Sequence, residues 1–238
     1  MSQQIELACG YADRGAFDTA VEICGGVDPS RMEHAAALSL IASIYRQVGR
    51  HDVAAGFDDV GTAASDPLGR SMCRLGRVAD HVGAGEAGLA AEALAAADAA
   101  IAEVKPWHWA TRWFDPWLTR AWVAAEVELL GARPDAAVAA LEPFAAVKPR
   151  ATRNTRWPHE RAKTLLFLAV ARRECGDTGR ARDDVLRAVE ISARARLAPL
   201  LLASLPVLGD LDPDAAAGYR PEGAVALRLV ERHAPPRP

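Results

Sequence analysis

The chain has 238 residues, of which 50% are apolar and 25% are charged, and its formal net charge is −3 at pH 7. These values are typical of a soluble globular protein that buries a substantial core. The sequence contains no apolar run that could span a bilayer, and the first residues, with Glu6 and Asp13, lack the basic start and apolar stretch of a signal peptide. We therefore expect a cytoplasmic protein, and its abundant alanine and few aromatic residues predict an all-α fold.

Five glycines are each followed by a polar turn and a new segment with helical apolar periodicity: Gly15, Gly49, Gly83, Gly131 and Gly176. The first three are 34 residues apart, and the later steps of 48 and 45 residues imply insertions near 105–116 and 148–158. The pattern predicts five helix pairs, at about 2–26, 33–64, 69–104, 117–147 and 160–196. Each glycine is expected to end the first helix of its pair in a left-handed conformation.

Residue types recur around these glycines. The first unit has Leu7-Ala8, Tyr11, Gly15, Ala20 and Val27, and the second has Ile41-Ala42, Tyr45, Gly49, Ala54 and Gly61 at the same offsets. The small residues Ala20, Ala54, Ala136 and Ala181 are predicted to lie where helices touch, because a larger side chain would push the helices apart. The third unit fits the pattern least well, the fourth fits loosely, and Arg172 replaces the aromatic residue in the fifth.

With this period and these offsets, the chain resembles the tetratricopeptide repeat (TPR) family, although an unrelated α-solenoid stays open. The resemblance implies an α-solenoid, a right-handed superhelix of about five helix hairpins that occupies residues 1–208. Within it, the apolar segment 197–208 is expected to be a capping helix on the last pair. A turn, a short helix and a tail are expected in 209–238.

In the TPR family the first helix of each pair lines a concave groove, and the groove positions carry over by offset. They are Ser39, Ser43, Arg46 and Gln47 in the second unit, Arg70, Arg77 and His81 in the third, and Lys163 and Arg173 in the fifth. Guanidinium groups suit bidentate contacts with carboxylates, so one hypothesis is that an acidic or C-terminal peptide of a partner binds there. The alternative is that these are ordinary solvated side chains.

Two further segments are unusual. Lys105–Trp117 holds Trp107, Trp109, Trp113 and Trp117, which either pack in the wedge left by the longer repeat or form an aromatic pocket. Lys148–Lys163 holds six Lys or Arg residues and one acid. We interpret it as a solvated basic loop and disfavour nucleic acid as a partner, because no recognised nucleic-acid module surrounds it.

The sequence shows no recognised catalytic motif, and its four cysteines and six histidines lack metal-ligand spacing. We therefore predict no enzyme activity, no metal and no cofactor, and free, mostly buried thiols. The segment from Ala136 through Leu202 resembles the helical sensor arm of large ATP-dependent bacterial transcription activators, and alanine and arginine richness favours a bacterial source. Two functions follow: a scaffold that binds a partner segment in its groove, or a ligand-sensing regulatory module. The segment 197–208 could alternatively form a homodimer surface.

Overall fold

The computed structural model describes residues 3–105, 115–145 and 157–236, and this part of the chain is helical throughout, without strands. The all-α prediction is confirmed. The helices are α1 (Gln3–Asp13), α2 (Phe17–Gly25), α3 (His34–Gln47), α4 (His51–Thr62), α5 (Pro67–Gly83), α6 (Ala87–Ala102), α7 (Pro116–Leu130), α8 (Pro134–Ala145), α9 (Trp157–Glu174), α10 (Thr178–Ala195), α11 (Ala198–Leu211), α12 (Pro213–Gly218) and α13 (Arg220–Arg232). None of these helices combines the length and apolarity needed to cross a membrane.

Several helices begin at an aspartate whose side chain caps the first turn. The carboxylates of Asp66, Asp115, Asp177 and Asp212 each accept a hydrogen bond from a backbone N–H two or three residues later. Three of these aspartates precede a proline at the first helical position, where no N–H donor is needed. Each cap contributes about 0.5–2 kcal/mol to helix stability.

The turn inside each of the first five pairs is built the same way. A backbone N–H donates to the carbonyl five residues earlier: Ala16 to Tyr11, Arg50 to Tyr45, Glu86 to His81, Arg133 to Glu128, and Asp177 to Arg172. The residue before each donor has a positive φ: Gly15 (83°), Gly49 (75°), Gly85 (75°), Ala132 (55°) and Gly176 (80°). We call these five the turn residues.

Three of the predicted turn glycines are therefore confirmed and two are wrong. Gly83 is the last residue of α5, and Gly85 takes the left-handed conformation two positions later. Gly131 has a φ of −80°, and Ala132 is left-handed instead. The true register of the third pair is shifted by two residues and that of the fourth by one.

With the corrected register the five pairs become more alike. Five residues after each turn residue stands an alanine with no solvent exposure, namely Ala20, Ala54, Ala90, Ala137 and Ala181. The prediction of close helix contact is confirmed for three of these sites, whereas Ala136, chosen in the fourth unit, is exposed and its neighbour Ala137 is buried. A methyl group lets the second helix approach the first closely at every one of these points.

The helices pack neighbour to neighbour along the chain. Each second helix (α2, α4, α6, α8) packs on its own first helix and on the first helix of the next pair. The first helices also contact one another in the series α1, α3, α5, α7, α9, whereas the described second helices make at most marginal contacts among themselves. The first helices therefore form one closely packed layer, which we call the first-helix face.

The C-terminal part packs on the fifth pair and also returns to the first. α11 packs on α9, α10 and α13, with Leu201 and Leu208 buried. The backbone N–H of Asp18 donates to the His233 carbonyl at 3.1 Å, and the Tyr45 hydroxyl donates to the Pro236 carbonyl at 2.6 Å. The sequence predicts one short helix after residue 209, and the structure contains two, α12 and α13.

Candidate binding surface

The predicted groove residues of α3 differ in their access to solvent. Ser39 is buried, Ser43 is partly exposed, and Gln47 is exposed, with its amide donating to the Ser43 carbonyl at 3.3 Å. Ser43 and Gln47 are therefore reachable from solvent on the first-helix face.

Arg46 is largely enclosed between three helices. Its NH1 group donates to Oδ2 of Asp58 on α4 at 2.5 Å, to Oδ1 of Asp80 on α5 at 3.3 Å and to the Gly76 carbonyl at 3.4 Å. Only 13% of its side chain is exposed, and the Asp58 side chain is not exposed at all. This arginine therefore joins α3, α4 and α5, and its positive charge is balanced by carboxylates within the protein.

Two more side chains complete this cluster. Arg77 contacts Asp59 at 2.9 Å and Asp80 at 3.5 Å, and His51 contacts Asp80 at 3.5 Å. Burial raises the pKa of Asp58 to about 7, although Arg46 opposes the rise, and the Asp80 charge adds to it. The physical reason is that burial disfavours the charged form of the Asp58 carboxyl group, and the nearby Asp80 charge disfavours it further.

A similar arginine–carboxylate cluster occurs in the fifth pair. Arg172 on α9 contacts Asp184 on α10, again 12 residues later, and Glu142 on α8 at 3.1 Å. Burial raises the pKa of Asp184, and Arg172 opposes the rise. An arginine near the end of a first helix thus ties its own hairpin to a neighbouring helix in two separate pairs.

The other charged residues predicted for the groove also have partners in the chain. The pairs are Arg70 with Glu103 at 2.5 Å, His81 with Glu86 at 2.7 Å, and Arg173 with Asp210 at 3.1 Å. Every arginine of the predicted set therefore already contacts a carboxylate within the described residues. The acidic partner stays a prediction. The guanidinium groups that suggested it are already paired with carboxylates of the chain.

The corrected register identifies two residues of the first-helix face that the sequence-based assignment missed. Ser39 and Ser43 stand ten and six residues before their turn residue, and the same offsets from Ala132 give Trp122 and Glu126 on α7. Counted from Gly131, the same offsets fall on Ala121 and Ala125, which are both buried. Buried Ala137 distinguishes the two registers, because it lies five residues after Ala132, the spacing found in the other four pairs.

Lys163, the remaining predicted groove residue, lies beside Trp122. Its ammonium nitrogen is 4.6 Å from the centroid of the Trp122 ring and 5.5 Å from that of Phe167, so it makes cation–π contacts. The indole N–H of Trp122 donates to the Thr164 hydroxyl at 3.0 Å, which fixes α7 against α9. The ring of His159 meets Trp122 edge-on, with 6.4 Å between centroids.

Glu126 is enclosed by protein but remains partly accessible. Burial raises the pKa of Glu126, and the charges of Lys163, Arg46 and His51 oppose the rise. No donor among the described residues hydrogen-bonds to its carboxylate.

Three glycines of α5 lie seven residues apart on one face, where α3 and α4 approach. A Cβ atom built on Gly69 would lie 2.6 Å from Cβ of Ala35, and one on Gly76 would lie 2.6 Å from Cγ of Asp58. A Cβ atom on Gly83 would lie 2.5 Å from Nδ1 of His51. These glycines make the third unit look irregular in sequence, yet they are what lets the Asp58 and His51 side chains reach α5.

Most residues of the aromatic pocket predicted as an alternative lie outside the described residues. Trp107, Trp109 and Trp113 lie outside the described residues, as does the basic segment up to residue 156. Trp117 is in the first turn of α7 and is 40% exposed. The choice between packing and a pocket stays open.

The described residues show neither a metal site nor a disulfide. No group of three or more His, Cys, Asp or Glu side chains in this part of the chain could hold a metal ion. All four cysteines are free, with Cys9, Cys24 and Cys73 buried and Cys175 exposed, as the sequence predicts.

An apolar cleft of about 500 Å³ lies between α11, α12 and α13. Its walls include Leu202, Leu205, Pro206 and Leu227. Three of these belong to the segment 197–208, for which a homodimer surface is the sequence-based alternative, and the dimer stays a prediction.

Comparison with known proteins does not assign the chain to a family. No protein-family model matches the chain, and no curated protein shows a significant match to it.

Proposed function

We propose that this protein is a cytoplasmic, non-catalytic interaction scaffold of the tetratricopeptide kind, which holds a segment of a partner protein on its first-helix face. The recurrence of one turn geometry and one buried alanine in five successive pairs supports the repeat interpretation. In a repeat array each unit contacts its neighbours, and the extended surface that results serves for binding.

The observation that carries the proposal is the unequal packing of the two layers. The first helices contact one another from pair to pair, and the second helices do so at most marginally. When one layer of a stack is more closely spaced than the other, the stack bends toward the closer layer. The first-helix face is on this reasoning the concave side, as in a right-handed TPR superhelix.

The experiment is site-specific photo-crosslinking in an extract of the native host. A photoreactive residue is introduced at Gln47, exposed on first helix α3, or at Gly56, exposed on second helix α4, with no atom near enough to be disturbed. We expect one protein to crosslink from position 47 and not from position 56. Equal crosslinking from both positions, or crosslinking from Gly56 alone, would contradict binding on the first-helix face.

The nature of the partner segment is tested separately with labelled peptides that differ only in charge. The sequence-based proposal is an acidic segment, and tighter binding of acidic peptides to the wild-type protein would support it. The pairing of Arg46 and Arg77 with Asp58, Asp59 and Asp80 lowers the gain expected from an added carboxylate.

A ligand-sensing regulatory module is the second candidate. The partly accessible carboxylate of Glu126 on first helix α7 favours it, because such a group can select a small molecule as well as a peptide side chain. The resemblance of the C-terminal part to the sensor arms of transcription activators points the same way. A thermal-shift screen against metabolites tests it, since a ligand that binds only the native state raises the melting temperature.

A further inference from the structure

The segment that follows α13 returns to the first two helix pairs and meets three polar groups there. The backbone N–H of Asp18 donates to the His233 carbonyl at 3.1 Å, and Nδ1 of His233 lies 3.0 Å from Oδ2 of the same aspartate. Three residues further on, the Tyr45 hydroxyl donates to the Pro236 carbonyl at 2.6 Å. We call residues 233–236 the tail segment, and the groups of Asp18 and Tyr45 that it meets the tail site.

Both donors of the tail site need an acceptor from another part of the chain. Asp18 is the second residue of α2, so its N–H has no acceptor within that helix, and the N-cap residue Ala16 contributes no side-chain hydrogen bond. The Tyr45 ring is buried and stacks on Phe57 with 5.7 Å between centroids, which holds the ring in place. A buried tyrosine ordinarily pairs its hydroxyl with a partner. The site thus presents two fixed donors and one carboxylate.

The tail segment suits this site because it offers acceptors and is already extended. Pro235 and Pro236 have no backbone N–H, so this stretch presents carbonyl oxygens without donors. A residue that precedes proline is restricted to extended conformations, which applies to both Ala234 and Pro235, so the segment loses little conformational entropy when it docks. His233 adds a group that can carry a positive charge beside the carboxylate of Asp18.

The tail segment lies on the surface rather than in the core. Ala234 and Pro236 are exposed, and His233 and Pro235 are partly exposed. Val230, within α13, packs instead against apolar side chains of both the first and the fifth pair. Segments with few buried apolar contacts open at little cost in free energy, so the tail segment can leave its site while α13 stays in place.

We propose that the tail site binds proline-containing extended segments of a partner protein and that the chain's own tail segment occupies it in cis. A partner segment with a basic residue followed, one residue later, by two prolines can make the same contacts. Its carbonyls accept from α2 and α3, and its cation meets the carboxylate of Asp18. Such a partner must displace the tail segment, which therefore inhibits the site. The proposal does not depend on binding at the first-helix face.

The test makes the same substitution in the chain and in a peptide. The probe is a fluorescein-labelled peptide with the sequence of residues 231–238, and fluorescence anisotropy measures its binding to the full-length chain. The serine variant carries Pro235→Ser and Pro236→Ser, which keep the length of the tail and remove its extended preference. Because a tethered segment has an effective concentration in the millimolar range, we expect the wild type to bind the peptide about tenfold more weakly than the serine variant. A peptide with the same two serines should bind neither protein measurably.

Two tyrosine substitutions, each added to the serine variant, test whether binding uses this site. Tyr45 and Tyr11 stand four residues before the turn residues of successive pairs, but within the described part of the chain the tail segment accepts a hydrogen bond from Tyr45. We expect Tyr45→Phe to weaken peptide binding about fivefold, as the loss of one hydrogen bond would, and Tyr11→Phe to leave it unchanged. Circular dichroism and thermal unfolding check that each variant folds.

The outcomes that contradict the proposal are distinct from those that contradict the scaffold. Equal binding of the peptide to the wild type and the serine variant, or binding to neither, would overturn the proposal. So would equal effects of Tyr45→Phe and Tyr11→Phe in folded proteins. These measurements use purified protein and peptide alone, so they do not depend on whether a partner crosslinks from Gln47.

Discussion

Replacement of Gly76 by alanine tests the packing of α5 most directly. Gly76 lies in the middle of a helix, where alanine is ordinarily about 1 kcal/mol more favourable than glycine. A Cβ atom at this site, however, would lie 2.6 Å from Cγ of Asp58, below the 3.0 Å that real Cβ atoms essentially never cross. Asp58 has no free space to retreat into, because its side chain is fully buried and bound to Arg46.

The magnitude follows from what the methyl group would displace. Separating a buried carboxylate from its guanidinium costs about 3–5 kcal/mol. Subtracting the helix-propensity gain of about 1 kcal/mol leaves a net loss of about 2–4 kcal/mol. For a chain of this size the melting temperature should fall by about 4–16 °C.

The matched control is Gly56→Ala on α4. Gly56 is exposed and a Cβ atom there would meet nothing within 4 Å, so this change should stabilise the protein by about 0.5–1 kcal/mol. Urea unfolding followed by far-UV circular dichroism gives both values. The two glycine-to-alanine changes should have opposite signs, and Gly76→Ala should cost much less when Asp58 is also alanine. A Gly76→Ala protein as stable as the wild type would refute the reasoning.

Two further predictions concern the register and the pH dependence. Ala137→Leu should lower the free energy of unfolding by about 1–3 kcal/mol, because Ala137 is fully buried and a larger side chain has no space there. Ala136→Leu should change it by less than about 0.5 kcal/mol, because Ala136 is exposed. If urea unfolding gave the reverse order, the fourth turn would be at Gly131 rather than at Ala132. Because burial raises the pKa of Asp58 to about 7, the folded chain keeps a proton that the unfolded chain releases near 3.8, so its contribution to stability should fall as the pH rises from about 4 to about 7. The stability of the wild type relative to Asp58→Asn should therefore be greater at about pH 5 than at about pH 8. A difference in stability between these two proteins that does not vary with pH would contradict the shift.

The sequence predicts the helices and three of the five turns because these depend on local interactions. Gly15, Gly49 and Gly176 are needed where the backbone takes a positive φ, and glycine is the residue that does so without strain. Alanine at Ala20, Ala54 and Ala181 reports a close helix contact in the same way. Both kinds of signal can be read from residue type and spacing alone.

The third turn could not be read in this way, because glycine serves two purposes there. Gly85 is left-handed, whereas Gly83 is glycine because the His51 ring occupies the space of its side chain. The fourth turn has Ala132 in the left-handed conformation, which costs energy that residue type does not reveal. Only the packing of α4 on α5 and the spacing to Ala90 and Ala137 decide between the registers.

The sequence by itself determined that the chain is helical and that small residues lie between its helices. The tertiary structure decided which charges meet. Arg46 has the same sequence neighbours whether it faces a groove or a core, and its partners Asp58 and Asp80 come from two other helices. Periodicity describes one helix at a time, whereas an ion pair between helices exists only once several helices are packed together.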